Sequence, residues 1–235
     1  MKLKPALYMV LISIALSVPI MPQSDVHLFQ GFLKEASVSS APFVSGYLIN
    51  HGKGLLNTCD YNLHTGYPLS KSLEARISFG PGGLGKYSTF KTDAALSGIY
   101  NVVNSGYLVS AGAFVTLPLS ANVEPTNEGY GIFGSLKKPL TEKISLTADA
   151  GIDVRNQSAI FKALFASAGA VIKANEKLAV IAEGQFWAED ANTLMISSGA
   201  DYKLLPGISL RGVLGFNLLD TGEDLRALFG ASYSF

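Results

Sequence analysis

Cysteine, histidine and charge are all scarce in this chain, and each shortage excludes a class of protein. The 235 residues include one cysteine, Cys59, so no internal disulfide can form. There are three histidines, and their spacing to Cys59 fits no metal site. Charged residues make up 15% of the chain, and 18 basic residues balance 18 acidic ones, so no basic surface points to nucleic acid. We expect no metal, no cofactor and no nucleic-acid partner.

Long hydrophobic runs are also missing, apart from one at the start. Lys2 and Lys4 precede an apolar run over residues 6–21, and polar residues follow it. A positive start, a short hydrophobic middle and a polar exit are the parts of a secretory signal peptide. We predict a cleaved signal peptide over residues 1–24 and export of the protein, with a cleavage site that the sequence narrows only to residues 17–41. Beyond this run no stretch is long and apolar enough for a transmembrane helix, so any membrane crossing must use strands.

What the chain does have is strict alternation of apolar and small or polar residues, most clearly over the last eleven positions. Leu225, Ala227, Phe229, Ala231, Tyr233 and Phe235 form one set, and Arg226, Leu228, Gly230, Ser232 and Ser234 form the other. Alternate side chains of a strand lie on opposite faces, so this segment has one apolar and one polar face.

The end of this strand resembles the porin-like outer-membrane β-barrels of bacteria, which commonly finish on Phe with Tyr two residues earlier. Tyr233 and Phe235 match that ending. The resemblance implies a place in the outer membrane of a Gram-negative bacterium, with lipid around the barrel. It also implies that the barrel-assembly machinery recognises the C-terminal strand through Tyr233 and Phe235. It indicates neither a subfamily nor an oligomeric state.

Similar alternation, interrupted by turn signals, recurs along the chain. It predicts about twelve strands, an even number that leaves both termini on the same side. The predicted strands cover residues 42–50, 56–68, 71–80, 89–102, 105–118, 128–138, 142–154, 159–173, 177–189, 193–204, 207–219 and 224–235. The predicted fold is therefore all-β: a closed, antiparallel, up-and-down transmembrane β-barrel over residues 42–235. Residues 25–41 lack alternation and are predicted to be an N-terminal lead segment that stays periplasmic, forms a short helix or folds into the lumen.

The composition of the two faces predicts which one meets lipid. Gly and Ser dominate the polar face, and such small residues make a poor soluble exterior but suit a curved lumen wall. Aromatic residues are predicted on the apolar face, as in the girdles of membrane barrels. They are Tyr61, Tyr67, Phe79, Tyr100, Tyr107, Tyr130, Phe161, Phe165, Phe186, Tyr202, Phe216, Phe229, Tyr233 and Phe235.

The polar face supplies the candidate site residues. We predict that the lumen is lined by Asp60, Asn62, His64, Glu74, Arg76, Asp149, Asp153, Glu183, Gln185, Asp201, Lys203 and Arg211. Because unpaired ions are costly in a low-dielectric lumen, Glu74 is expected to pair with Arg76, and Asp201 with Lys203 or Arg211, across neighbouring strands. The small inward residues are expected to leave free space between them.

These features favour a narrow pore for passive passage of small polar solutes, or a structural outer-membrane protein. An enzyme is not expected, because no nucleophile, base and orienting group come together in a known spacing. Two alternatives stay open. One is an outer-membrane hydrolase of lipid or peptide that uses His64, which shares its face with Asp60 and Asn62. The other is an exported soluble β-barrel with its apolar face inward, around an apolar ligand.

Overall fold

The structure, a computed structural model, describes residues 35–51, 59–79, 93–118, 128–156, 160–188, 192–219 and 225–235. The predicted signal peptide, residues 1–24, lies outside these ranges and stays a prediction. Within them the chain forms twelve strands. They are β1 (Phe43–His51), β2 (Cys59–Pro68), β3 (Leu73–Phe79), β4 (Asp93–Asn104), β5 (Leu108–Pro118), β6 (Glu128–Pro139), β7 (Ile144–Asn156), β8 (Ile160–Lys173), β9 (Leu178–Ala188), β10 (Thr193–Leu205), β11 (Ile208–Asn217) and β12 (Leu225–Ser234).

These strands close into one antiparallel barrel in which every strand pairs with its neighbours in sequence. The barrel closes where β1 pairs with β12, in a register that sets Phe43 opposite Ser234 and His51 opposite Arg226. The predicted all-β, twelve-stranded closed barrel is therefore confirmed. Within the described residues the largest difference in a strand boundary is at β5, which was predicted to begin at residue 105 and begins at Leu108. The predicted start of β4, at residue 89, lies outside the described residues.

One end of the barrel carries both termini of the described chain and five short turns, and we call it the turn end. The turns are residues 69–72, 105–107, 140–143, 174–177 and 206–207. Side chains and glycine fix their shape: the Asn175 side chain accepts hydrogen bonds from the backbone N–H groups of Lys177 and Leu178, both at 2.9 Å. Gly207 has a φ of +77°, which only glycine adopts readily.

The other end, which we call the loop end, carries the connections between β1 and β2, β3 and β4, β5 and β6, β7 and β8, β9 and β10, and β11 and β12. Most residues of these connections lie outside the described ranges, among them the glycine-rich segment 80–85. Short turns at one end and longer loops at the other are typical of outer-membrane barrels.

The apolar set of each strand faces outward. Leu146, Leu210 and Phe229 are 43%, 44% and 59% exposed, and none of them packs in the interior. A soluble barrel around an apolar ligand would require these side chains to be buried together, so the structure does not favour this alternative. The outer surface is a continuous apolar band of the kind that contacts hydrocarbon in membrane barrels.

Among the residues that the structure describes, no helix is both long and apolar enough to cross a bilayer.

Candidate functional site: the barrel interior

The interior receives the polar set of each strand. Ten of the predicted lumen residues have buried side chains there: Asn62, His64, Glu74, Arg76, Asp149, Asp153, Glu183, Gln185, Asp201 and Arg211. Lys203 shares the phase of Asp201 on β10, but its side chain is exposed at the turn end. The Asp60 side chain lies outside what the structure describes. Whether these residues line a conducting pore stays a prediction.

Two buried ion pairs are built into the wall. The Arg76 Nε atom donates to a Glu74 carboxylate oxygen at 2.8 Å, and both side chains are fully buried. The Arg211 Nε atom donates to an Asp201 carboxylate oxygen at 2.7 Å. Arg211 is thus the partner of Asp201, directly opposite it across β10 and β11. The other pair differs from expectation because Glu74 and Arg76 lie two residues apart on one strand, β3, rather than across two strands.

Hydroxyl groups partner several of the remaining acidic and amide groups. Ser167 Oγ donates to Asp149, Ser197 Oγ donates to Glu183 at 3.2 Å, and Ser78 Oγ donates to Asn62 at 3.1 Å. In the first two cases the serine lies directly opposite the carboxylate on the next strand. The serines of the polar face therefore solvate buried carboxylates, which lowers the cost of placing negative charge inside the barrel.

The segment that precedes β1 lies inside the barrel. Glu35 and Ala36 have no exposed surface, and Ser37 and Ser39 are almost fully buried. Of the three placements left open for residues 25–41, the structure selects the lumen for its described part, residues 35–41. No alternating pattern in the sequence predicts this placement, because the segment contacts strands that are far away in the chain.

Aromatic rings form a second interior feature. Phe43, Phe114, Phe133, Phe165 and Trp187 are buried and belong to one cluster. The Phe114 and Phe165 ring centroids lie 6.3 Å apart, and those of Phe165 and Trp187 lie 5.2 Å apart. The prediction that Phe165 faces lipid is wrong, since this residue is only 3% exposed. Both faces of β8 carry apolar residues, so its alternation did not reveal which face turns inward.

Each of five inward rings lies over a glycine directly opposite it on the adjacent strand. The pairs are Phe43 with Gly66, Tyr47 with Gly230, Phe114 with Gly131, Phe133 with Gly112, and Phe165 with Gly151. A glycine lacks the Cβ atom that would hold a ring away from the backbone. The space above these inward glycines, which the sequence suggested would be free, is thus taken by rings. The sequence signal for an inward ring is an aromatic residue at the same alternating positions of a strand as glycine and serine, as Phe133 is in β6.

Replacing Gly131 with valine is expected to destabilise the barrel by about 1–3 kcal/mol. A Cβ atom there would meet the Phe114 ring and would lie 2.5 Å from the carbonyl oxygen of Ile152, and the backbone cannot yield as a flexible side chain can. The measurement is the urea midpoint of unfolding in detergent micelles. Gly98→Val is the matched control, because a Cβ at Gly98 meets nothing within 4 Å. Equal shifts for both variants would show that the ring over Gly131 imposes no requirement for glycine.

Beside the rings and residues 35–41, the interior contains a cavity of about 910 Å³ at the turn end. Its lining includes the hydroxyl and cationic groups of Ser39, Ser40, Ser45, Ser209, Ser232, Ser234, Lys143, Lys173, Lys177, Lys203 and Arg211. Tyr47 lies at its wall, and the Tyr47 hydroxyl accepts a hydrogen bond from Arg211 at 3.3 Å. Glu142, Glu176 and Asp201 add negative charge. This is a polar chamber with charges of both signs, suited to water and small polar solutes.

His64 was the candidate for catalysis. Its ring is buried and meets the Tyr47 ring edge to face, with centroids 5.2 Å apart. Ser45 and Ser78 lie directly opposite it on β1 and β3, and the Ser78 hydroxyl donates to Asn62 at 3.1 Å, so this grouping does not by itself favour the hydrolase alternative. In the described ranges no three or more His, Cys, Asp or Glu side chains are grouped so as to hold a metal ion.

Comparison with known proteins finds solved structures with the same fold. No protein-family model matches the chain, and no curated protein does. The KdgM porin superposes with a TM-score of 0.65 at 10% identity, over 82% of this chain and 99% of the porin. The NanC porin gives 0.65 at 12% identity, over 83% and 100%. An outer-membrane channel from Pseudomonas putida F1 gives 0.62 at 15% identity, over 89% and 100%. These likenesses confirm the resemblance to porin-like outer-membrane barrels at the level of the fold.

Proposed function

We propose that this protein is a narrow pore for passive passage of small polar solutes across the bacterial outer membrane. The observation that carries the proposal is the combination of an apolar outer band with a polar interior that holds a cavity of about 910 Å³. Lipid contact outside and water contact inside is the arrangement of membrane pores. The neighbours with the same fold include proteins described as porins and as an outer-membrane channel, which supports the proposal.

The orientation follows from the two ends. Outer-membrane barrels keep their short turns in the periplasm and their longer loops outside. On this basis the turn end, with its cavity and basic side chains, faces the periplasm. Export through a cleaved signal peptide and recognition of Tyr233 and Phe235 by the assembly machinery belong to the same proposal. The two rings lie on the outer face, edge to face with centroids 4.9 Å apart, where such recognition is possible.

The measurement is single-channel conductance after reconstitution into planar lipid bilayers. Small, discrete current steps are expected from the wild-type protein. Ser209→Trp is expected to reduce the step size by roughly half or more, because Ser209 lines the cavity and a bulky ring there narrows the path. Leu210→Trp is the matched control, since the next residue of β11 faces lipid and the same ring should leave the current unchanged.

A folded barrel that passes no current in any of these three forms would contradict the pore and favour a structural role in the outer membrane. Equal reduction by both substitutions would show that the current does not pass the cavity at Ser209. Heat-modifiable migration on a gel verifies that each variant is folded.

A further inference from the structure

Residues 35–41 run as a strap across the inner wall at the turn end. The strap meets β6 first, then β5 and β3, and it enters β1 at Phe43. Glu35 contacts Lys137 of β6, Ala36 contacts Ser110 of β5, and Ser39 contacts Glu74 of β3. It is therefore an inner layer laid over one side of the barrel rather than a disordered leader.

Charged wall residues hold the strap at both of its ends. The Lys137 Nζ atom lies 2.6 Å from a Glu35 carboxylate oxygen, and both side chains are buried. Arg76 donates to the backbone carbonyl oxygens of Glu35, at 3.0 Å, and of Ser37. The Glu74 carboxylate accepts hydrogen bonds from the backbone N–H and the hydroxyl of Ser39.

A neutral group also holds the strap, next to its first residue. Ser110 Oγ lies 2.9 Å from the Ala36 carbonyl oxygen and 2.6 Å from the Asn101 side-chain oxygen. Nearly all of these contacts are polar, and polar contacts are the kind that water replaces at low net cost. A strap held by apolar packing would leave a dry surface when it moved away, whereas this one would leave charged and hydroxyl groups that water can solvate.

The strap also borders the cavity. Ser39, Ser40 and Ala41 form part of the cavity lining, together with residues of β10, β11 and β12. Departure of the strap from β3, β5 and β6 would join the volume it occupies to the existing cavity. The strap thus sets the width of the lumen at the turn end.

We propose that residues 35–41 are a gate: the docked strap narrows the pore, and release of the Glu35–Lys137 ion pair and of the Arg76 contacts opens it. The inference rests on the proposed pore function. It also requires that the mature protein retains Glu35, so that signal-peptide cleavage occurs before this residue. Mass spectrometry of the mature protein tests that requirement directly, and a mature chain that begins after Glu35 would overturn the gate.

The main test locks the strap with a disulfide between Ala36→Cys and Ser110→Cys, in a Cys59→Ala background. We expect the oxidised protein to show only the small conductance step, and reduction with dithiothreitol to restore openings to a larger one. Each single-cysteine variant is the matched control and should not respond to the reductant. If the wild-type protein and the reduced double variant conduct but oxidation changes nothing, the strap is a fixed part of the wall. If no form conducts, the pore proposal itself fails.

A second measurement follows the strap without any current. Ser37→Cys in the Cys59→Ala background is labelled with a hydrophilic maleimide, and labelling requires the buried side chain to leave the wall. Adding Lys137→Met removes the partner of Glu35 and is expected to raise the labelling rate by about tenfold or more. Gly98→Val, on the lipid face, replaces Lys137→Met in the control. An unchanged rate in the Lys137→Met protein would overturn the gate whatever the conductance.

Discussion

Ile132→Arg is expected to destabilise the folded barrel by about 2–4 kcal/mol, because an arginine at the centre of the apolar band must be solvated within hydrocarbon. Ile132 lies in the middle of β6, between Ala113 of β5 and Ile152 of β7, and is 64% exposed. In a soluble protein an exposed isoleucine is among the safest places for arginine. The measurement is reversible urea unfolding in lipid vesicles, followed by the gel shift between folded and unfolded forms.

Leu140→Arg is the matched control for this substitution. Like Ile132, Leu140 has an exposed aliphatic side chain, but it lies in the turn directly after β6, where the bilayer meets water. Arginine near that interface costs about 0–1 kcal/mol. Equal effects at the two positions, or better solubility of the Ile132→Arg protein without detergent, would show that water rather than lipid surrounds the barrel.

The parts of the fold that the sequence predicted are those that depend on an exact period of two. In β7, β11 and β12 one face is apolar and the other carries Gly, Ser and charge, so the phase of alternation identified the outward face without any knowledge of neighbouring strands. The number of strands followed from the turn signals between such runs. Antiparallel pairing followed in turn from the shortness of the turns.

The interior was harder to predict because its contents depend on register. Phe165 lies inward since Gly151, directly opposite it on β7, leaves room for the ring, and no single strand shows which glycine will be opposite which ring. The alternation within β8 is weak, with Phe165 on one face and Leu164 on the other. The alternation within β8 is compatible with either face turning inward, and packing against the neighbouring strands decides which face does so.

The strap was beyond prediction for a similar reason. Its fixed points, Lys137 and Arg76, lie on two strands that are far from Glu35 in the chain. The Glu35–Lys137 pair spans a sequence separation of 102 residues. A segment of seven residues without alternation carries no information about such distant partners, so only the closed barrel reveals where it binds.

Arg76→Met is expected to destabilise the barrel by about 3–5 kcal/mol, because it leaves the Glu74 carboxylate buried without the cation beside it. Arg76 and Glu74 have no exposed surface, and their ion pair spans 2.8 Å. The substitution also removes the donors to the Glu35 and Ser37 carbonyl oxygens. Urea unfolding in vesicles, at a pH where carboxylates are ionised, measures the loss.

A double-mutant cycle with Glu74→Gln distinguishes two causes of that loss, the isolated charge of Glu74 and the lost hydrogen bonds to the strap. Glutamine keeps an acceptor for the Ser39 backbone N–H but carries no charge, so Glu74→Gln/Arg76→Met should be clearly more stable than Arg76→Met alone. The recovered part measures the isolated charge, and the remainder measures the lost donors to the strap. If the double variant is as unstable as Arg76→Met, the charge of Glu74 plays no part, and Arg76 acts only by holding residues 35–41 against the wall.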